Sequence, residues 1–181
     1  MLGYELVVVM LGCCSWFAPV AEALLPGRPQ AVSEAAMQPL KGRSVAIENG
    51  PAYSDSGMTD PADRIASGLA ASLAARYGLR YDPGRPTTAE TLILGVQTLE
   101  WTVEPAFKDY ILRYRGEATL LDHRDGRRLG RAWCDRRAPT GKGSAAEALA
   151  DKDALTSALQ AAADSCLKQL RESLIAEATP R

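Results

Sequence analysis

The stretch Tyr114–Cys134, "YRGEATLLDHRDGRRLGRAWC", decides the fold. Its first half continues an alternation from Asp109 to Leu121, with Tyr110, Leu112, Tyr114, Ala118 and Leu120 on one face. Arg113, Arg115, Glu117 and Thr119 take the other face, the two-residue period of a half-buried strand. Arg124-Asp125-Gly126 reads as a three-residue hairpin loop with Gly126 in the left-handed bulge position. That loop predicts a register that sets Leu120 against Gly130, Ala118 against Ala132 and Gly116 against Cys134. All six face the core and make a floor of small residues on which a helix can lie closely.

Working outward, "TLILGVQTLEWTV" (Thr91–Val103) is rich in β-branched and aromatic residues and predicts the preceding strand. "SVAIE" (Ser44–Glu48), closed by Asn49-Gly50-Pro51, predicts a first one. Between them Asp60 serves as N-cap with Pro61 in the first turn, and Ile65, Leu69 and Leu73 form a narrow apolar stripe padded by Ala62 and Ala66. Gly78 supplies the left-handed stop. After the loop "APTGKG", Ser144 and Glu147 make a capping box. Leu155, Leu159, Ala162, Cys166, Leu170 and Leu174 carry a helical stripe, with a break expected near Asp151. The order β-α-β-β-β-α predicts an α+β fold, one mostly antiparallel sheet covered on one face by two helices. The folded domain is expected over residues 44–178, preceded by a proline- and glycine-containing linker over 24–43.

The N-terminal part speaks to compartment. Leu6 to Val20 is an apolar run of about 15 residues, the size of a signal-peptide core and short for a membrane-spanning helix. Ala21-Glu22-Ala23 offers small residues for cleavage after Ala23, so residues 1–23 read as a leader. Leu11-Gly12-Cys13 resembles the lipobox of bacterial lipoproteins, which makes Cys13 and Cys14 lipidation candidates. A lipoprotein, a cleaved soluble protein and an uncleaved anchor all place the domain outside the cytoplasm, periplasmic or facing the periplasm from a membrane.

Four features, "DPADRIASGLAASLAARYGL", "LILGVQTLEWTV", the hairpin quoted above and "LQAAADSCLKQL", together resemble small exported proteobacterial proteins, usually lipoproteins, whose task is uncharacterised. The resemblance spans about residues 44–175. It implies an exported α/β lipoprotein and lends no active-site residue.

Composition fits one ordinary domain: 181 residues, 46% hydrophobic and 24% charged. A remaining chain of about 150 residues buries roughly 68–70% of its unfolded surface, so no metal or cofactor is needed for stability. A formal net charge of −1 gives no whole-molecule bias toward nucleic acid. His123, the single histidine, falls beside the hairpin turn, a poor place for a Ser-His-Asp or Cys-His site. The four cysteines lack the close paired spacing of a zinc site. "GKGS" (141–144) is no P-loop, since Arg136 stands where the first glycine belongs. Glu100 and Glu104 share a strand face and read as a solvated edge in preference to an acid/base pair. Trp101 and Trp133 are stacking candidates, more simply packing residues.

The expectation is therefore a non-enzymatic accessory protein of the cell envelope, binding or scaffolding a protein partner near a membrane, with a membrane contact through a lipid anchor. The alternative is a secreted or anchored hydrolase whose polar residues assemble from distant segments. Arg124, Arg127, Arg128, Arg131, Arg136 and Arg137 crowd the last hairpin and its exit as contacts for an anionic surface. Cys134 and Cys166 both fall on faces expected to be buried against each other, so an oxidising compartment would join them. Two separate buried thiols are the alternative.

Overall fold

The computed structural model describes residues 28–50, 58–83, 87–106, 109–142 and 150–175. Cys13, Cys14, the leader and the Ser144–Glu147 capping box lie outside the described residues. Five strands, β1 (Ser44–Ile47), β2 (Arg80–Tyr81), β3 (Thr91–Ala106), β4 (Asp109–Asp122) and β5 (Arg127–Lys142), form one mixed sheet in the order β2-β1-β3-β4-β5. β1 is parallel to β2 and β3, whereas β3, β4 and β5 are antiparallel and carry most of the ladder. The fold is α+β, as the pattern of elements implied, with the two-residue β2 as an addition too short to leave a periodic signal.

Helix α2 (Ala62–Tyr77) buries Ile65, Leu69, Leu73 and the alanines between them. Asp60 Oδ1 accepts the Ala62 N–H at 2.9 Å, and Gly78 ends the helix at φ 64°. Helix α3 (Lys152–Leu174) starts at Asp151, whose carboxylate accepts from Ala154 N at 3.0 Å, the break foreseen there. Its buried stripe runs Leu155, Leu159, Ala162, Cys166, Leu170 and Leu174. Leu112, Tyr114, Ala118, Leu120, Ala132 and Cys134 oppose the helices from the sheet in the same core.

The expected register holds: Leu120 pairs with Gly130, Ala118 with Ala132 and Gly116 with Cys134. The turn differs in detail. Asp122 pairs with Arg127, leaving four residues in the loop instead of three, with Gly126 at φ 67° and its N–H bonded to Asp122 O at 2.9 Å. A bulge absorbs the extra step, since Leu121 pairs with Arg128 while Leu120 pairs with Gly130, and the skipped Leu129 is buried.

The linker expected over 24–43 is corrected by the structure from Gln30 onward, residues 24–27 lying outside the described residues. Gln30 makes an antiparallel bridge to Arg131 on the edge of β5, with both backbone hydrogen bonds at 2.8 Å. Val32 N then donates to Leu174 O at the end of α3, at 2.8 Å. A short helix α1 (Glu34–Met37) and a 3₁₀ turn (Gln38–Leu40) follow, and Gly42 N donates to Gly78 O behind α2. Val32, Met37 and Leu40 are all core residues. The segment is thus a strap that runs from the β5 edge past the C-terminal ends of both long helices to β1. Three apolar residues at irregular spacing carry it, which is why no period reveals it.

Candidate functional site

Helix α3 is fastened to the sheet by chemistry as well as packing. Cys134 and Cys166 form a disulfide with Cα atoms 5.4 Å apart, across a separation of 32 residues. The small floor explains the approach: a side chain at Gly130 would meet Val32 and Leu174 at 2.6 and 2.8 Å, and one at Gly116 would meet the Tyr114 ring and the Cys134 sulfur.

The opposite sheet face carries rows of cross-strand ion pairs. Arg115 reaches Glu100 at 3.1 Å, and Arg131 holds Glu117 through two bonds of 2.6 and 2.8 Å. Arg113 lies between Glu104 at 3.5 Å and Asp135, whose carboxylate it grips with Nε and a terminal nitrogen. The Arg113 hydrogen bonds hold Asp135 below the usual carboxylate range. Glu100 and Glu104 therefore serve separate arginines and do not converge on a shared proton. Trp133 sits half-buried on this face opposite Glu117, while Trp101 is on the core side, packed against apolar residues.

At the hairpin tip Arg43 spans the start of β3 to reach Asp122. Both guanidinium ends bond both carboxylate oxygens at 2.8 Å, and Arg43 Nε donates to Glu90 O at 2.7 Å. The side chains are 10% and 6% exposed, so this is a buried pair, and Arg43 holds the Asp122 carboxyl low. His123 Nδ1 lies 3.0 Å from Thr88 O and donates to it. The tip is anchored to the sheet, and its histidine is tied to backbone.

The six hairpin arginines do not form one strip. Arg124 pairs with Glu90 at 2.5 Å, Arg127 approaches Asp125 at 3.8 Å, and Arg131 is held by Glu117. Arg128 is exposed at the tip. Arg136 and Arg137 instead lie farther along β5, in a cleft of about 700 Å³ between the strand and α3, with Asp135, Ser165, Lys168 and Glu172. Sequence reasoning missed Lys168. Its signal was the helical spacing: Ser165, Lys168 and Glu172 recur at i, i+3 and i+7 along one flank of the terminal helix.

A second cleft, about 420 Å³, lies between the Met58–Arg64 segment and the first turns of α3. Behind it Thr98 Oγ1 donates to Asp60 Oδ1 at 2.5 Å and lies 2.9 Å from the Tyr114 hydroxyl. Burial pushes the Tyr114 phenol up to about 12, so it stays protonated and braces the α2 entry against β4. Among the described residues no cluster of three or more His, Cys, Asp or Glu side chains is placed to hold a metal ion. No described helix is long and apolar enough to cross a membrane.

No protein-family model matches the chain, and no curated protein matches it. Solved structures similar to it include the lipoprotein GNA1162 of Neisseria meningitidis, 14% identical, covering 66% of this chain and 99% of that one, with a TM-score of 0.39. The PelC dodecamer of Paraburkholderia phytofirmans is 17% identical over 82% of this chain and 96% of that one, with a TM-score of 0.44. A minor lipoprotein of Acinetobacter baumannii is 16% identical over 72% and 90%, with a TM-score of 0.41. Likenesses of this degree carry no statement about the task of this chain.

Proposed function

We propose that the protein is an exported accessory of a bacterial cell envelope that works by binding, tethered near a membrane by its leader and presenting the β4–β5 hairpin to a protein partner. The observation that carries this reading is the Cys134–Cys166 disulfide, because such a bond persists in oxidising compartments outside the cytoplasm. The open sheet face supports binding. Its arginines and carboxylates satisfy one another across strands, which gives a stiff, patterned surface.

The edge of β5 is the place for a partner to add a strand. Arg131 turns both its N–H and C=O toward Gln30, so Asp135 and Arg137, of the same parity and past the position opposite Arg28, turn theirs outward. An extended peptide pairing there gains main-chain hydrogen bonds and meets Trp133 on one face.

Two measurements test the reading. A fused reporter active only in the periplasm must report export, and activity confined to the cytoplasm overturns it. Mass analysis of the mature N-terminus then separates lipidation at Cys13 or Cys14 from cleavage after Ala23. A photocrosslinking residue at Trp133 is expected to give a discrete adduct in envelope fractions, whereas the same residue at Arg64 on α2 is not. Equal labelling from both positions removes the hairpin as the binding element.

A further inference from the structure

Arg136 leaves β5 on the helix-covered face, two positions beyond the disulfide cysteine. There it meets the flank of α3 that carries Ser165, Lys168 and Glu172. Arg136 Nε is buried and hydrogen-bonds to nothing among the described residues. A buried guanidinium N–H without an acceptor is an unfavourable arrangement that an acceptor from outside the chain relieves. Asp135 is not that acceptor, because strand parity turns it to the open face, where Arg113 grips its carboxylate. The cleft is lined by three cations, Arg136, Arg137 and Lys168, and by Asp135 and Glu172; Arg136 enters from the covered face, while Arg137 and the Arg113-bound Asp135, which parity places on the open face, line its rim at the edge of β5. None of the three makes an ion pair among the described residues.

Two planar guanidinium forks and one ammonium suit a tetrahedral oxyanion with several acceptor oxygens, which is the chemistry of a phosphate group. A cleft of about 700 Å³ has room for the group that carries it. The path of the chain indicates the source. The Gln30–Arg131 bridge is antiparallel, so the chain traced back from Gln30 toward the leader sets out in the direction of Trp133 and the cleft. Arg136 lies roughly 17 Å along the strand from the bridge, at about 3.3 Å per residue. We infer that the β5–α3 cleft binds the phosphate of an anionic phospholipid headgroup through Arg136, Arg137 and Lys168, on the side toward which the chain runs back from Gln30 to Arg28. The headgroup as source rests on the tethered reading above. The export reporter and the experiment below fail independently of each other.

The test uses the full chain reconstituted in nanodiscs of phosphatidylcholine alone or with phosphatidylglycerol, so that the tether is equally present in both. Lys168 is labelled with an amine-reactive reagent and the arginines with phenylglyoxal, and each site is read by mass spectrometry. Phosphatidylglycerol is expected to slow labelling of Lys168, Arg136 and Arg137 by about fivefold or more, while Arg128 and the exposed Lys41 change little. In Arg137→Gln the protection of Lys168 is expected to fall, and circular dichroism of that variant confirms that the fold is kept. Equal labelling in the two nanodiscs overturns the proposal. Equal protection of Arg124, Arg127 and Arg128 overturns the discrete cleft in favour of a diffuse basic surface. Protection by added inorganic phosphate without protection by phosphatidylglycerol overturns the lipid source and assigns the cleft to a soluble phosphoryl group.

Discussion

Replacing both Cys134 and Cys166 by alanine opens a loop of 32 positions between the last strand and the terminal helix. In the chain-entropy account a closure of that length stabilises the folded state by roughly 3.5–4 kcal/mol. For a chain of this size each kcal/mol moves the melting temperature by about 2–4 °C, so the double variant should melt about 7–15 °C lower. Alanine removes two sulfurs from a well-filled site, since both cysteines are buried and Gly116 lies against the Cys134 sulfur, and this packing loss adds to the entropic one. Thermal denaturation of oxidised protein, reduced protein and the double variant separates the contributions. The reduced protein isolates the covalent closure, and the further drop in the variant reports the lost packing. Identical melting of oxidised and reduced protein, with both thiols alkylated in the reduced sample, would refute the reasoning.

Asp122→Asn breaks the buried pair with Arg43 and should destabilise by about 3–5 kcal/mol in urea unfolding at neutral pH, because an uncompensated buried guanidinium remains. Since the Asp122 carboxyl is held low, its contribution is complete above the ordinary carboxylate value near 4 and is lost as pH falls through the lowered folded value. The penalty of the variant should therefore shrink in acid, and a constant penalty down to about pH 2 contradicts the assignment. Gly130→Ala places a methyl group where Val32 and Leu174 stand 2.6 and 2.8 Å away, so it should lower stability by about 1–3 kcal/mol and loosen the strap. Limited proteolysis is expected to cut that variant between Arg28 and Lys41 before any other site, and unaltered cleavage counts against a packed strap. Met37→Ala should cost about 2–4 kcal/mol in the same urea assay, as for any core methionine, whereas a tether residue would show almost nothing.

How much of this was legible beforehand follows from which contacts leave a local signature. Gly116, Ala118, Gly130 and Ala132 declare themselves because each occupies an alternate position of a strand, and a turn glycine fixes how the two rows meet. The cysteine pair follows from that register and from one helical stripe. The strap left no signature: Val32, Met37 and Leu40 plug the ends of other elements, and their spacing answers to those ends and not to any period of their own. The Arg43–Asp122 pair was equally hidden, since it joins positions 79 apart through the parallel pairing of β1 and β3, which sequence alone left conditional. The arginine cluster showed the opposite failure. Proximity in sequence suggested one basic strip, but strand parity sends Arg131 and Arg137 to one face and Arg136 to the other. Facing carboxylates on β3 and β4 then neutralise Arg113, Arg115 and Arg131.

Strap, disulfide and cleft meet at the same edge, and their arrangement bears on how a tether would load the domain. Tension applied through a tether N-terminal to Gln30 would reach Gln30 first, where two backbone hydrogen bonds hold it to Arg131, and then Val32, bonded to Leu174. Both anchor residues belong to the layer that the disulfide closes, β5 through Cys134 and α3 through Cys166. A pull that would peel α3 from the sheet is thus opposed by a covalent bond that joins the same strand and the same helix on which it acts. Without that bond the load would fall on the helix stripe alone, where Leu170, Leu174 and Cys166 bear on a floor of glycine and alanine that offers close approach but little contact area per residue. The same bond ties β5, which carries Arg136, to α3, which carries Lys168, and so fixes the separation of the two walls of the cleft. Reduction should therefore weaken protection of Lys168 by phosphatidylglycerol even at temperatures where the domain stays folded. Intact protection in reduced, folded protein would show that the cleft keeps its shape by packing alone.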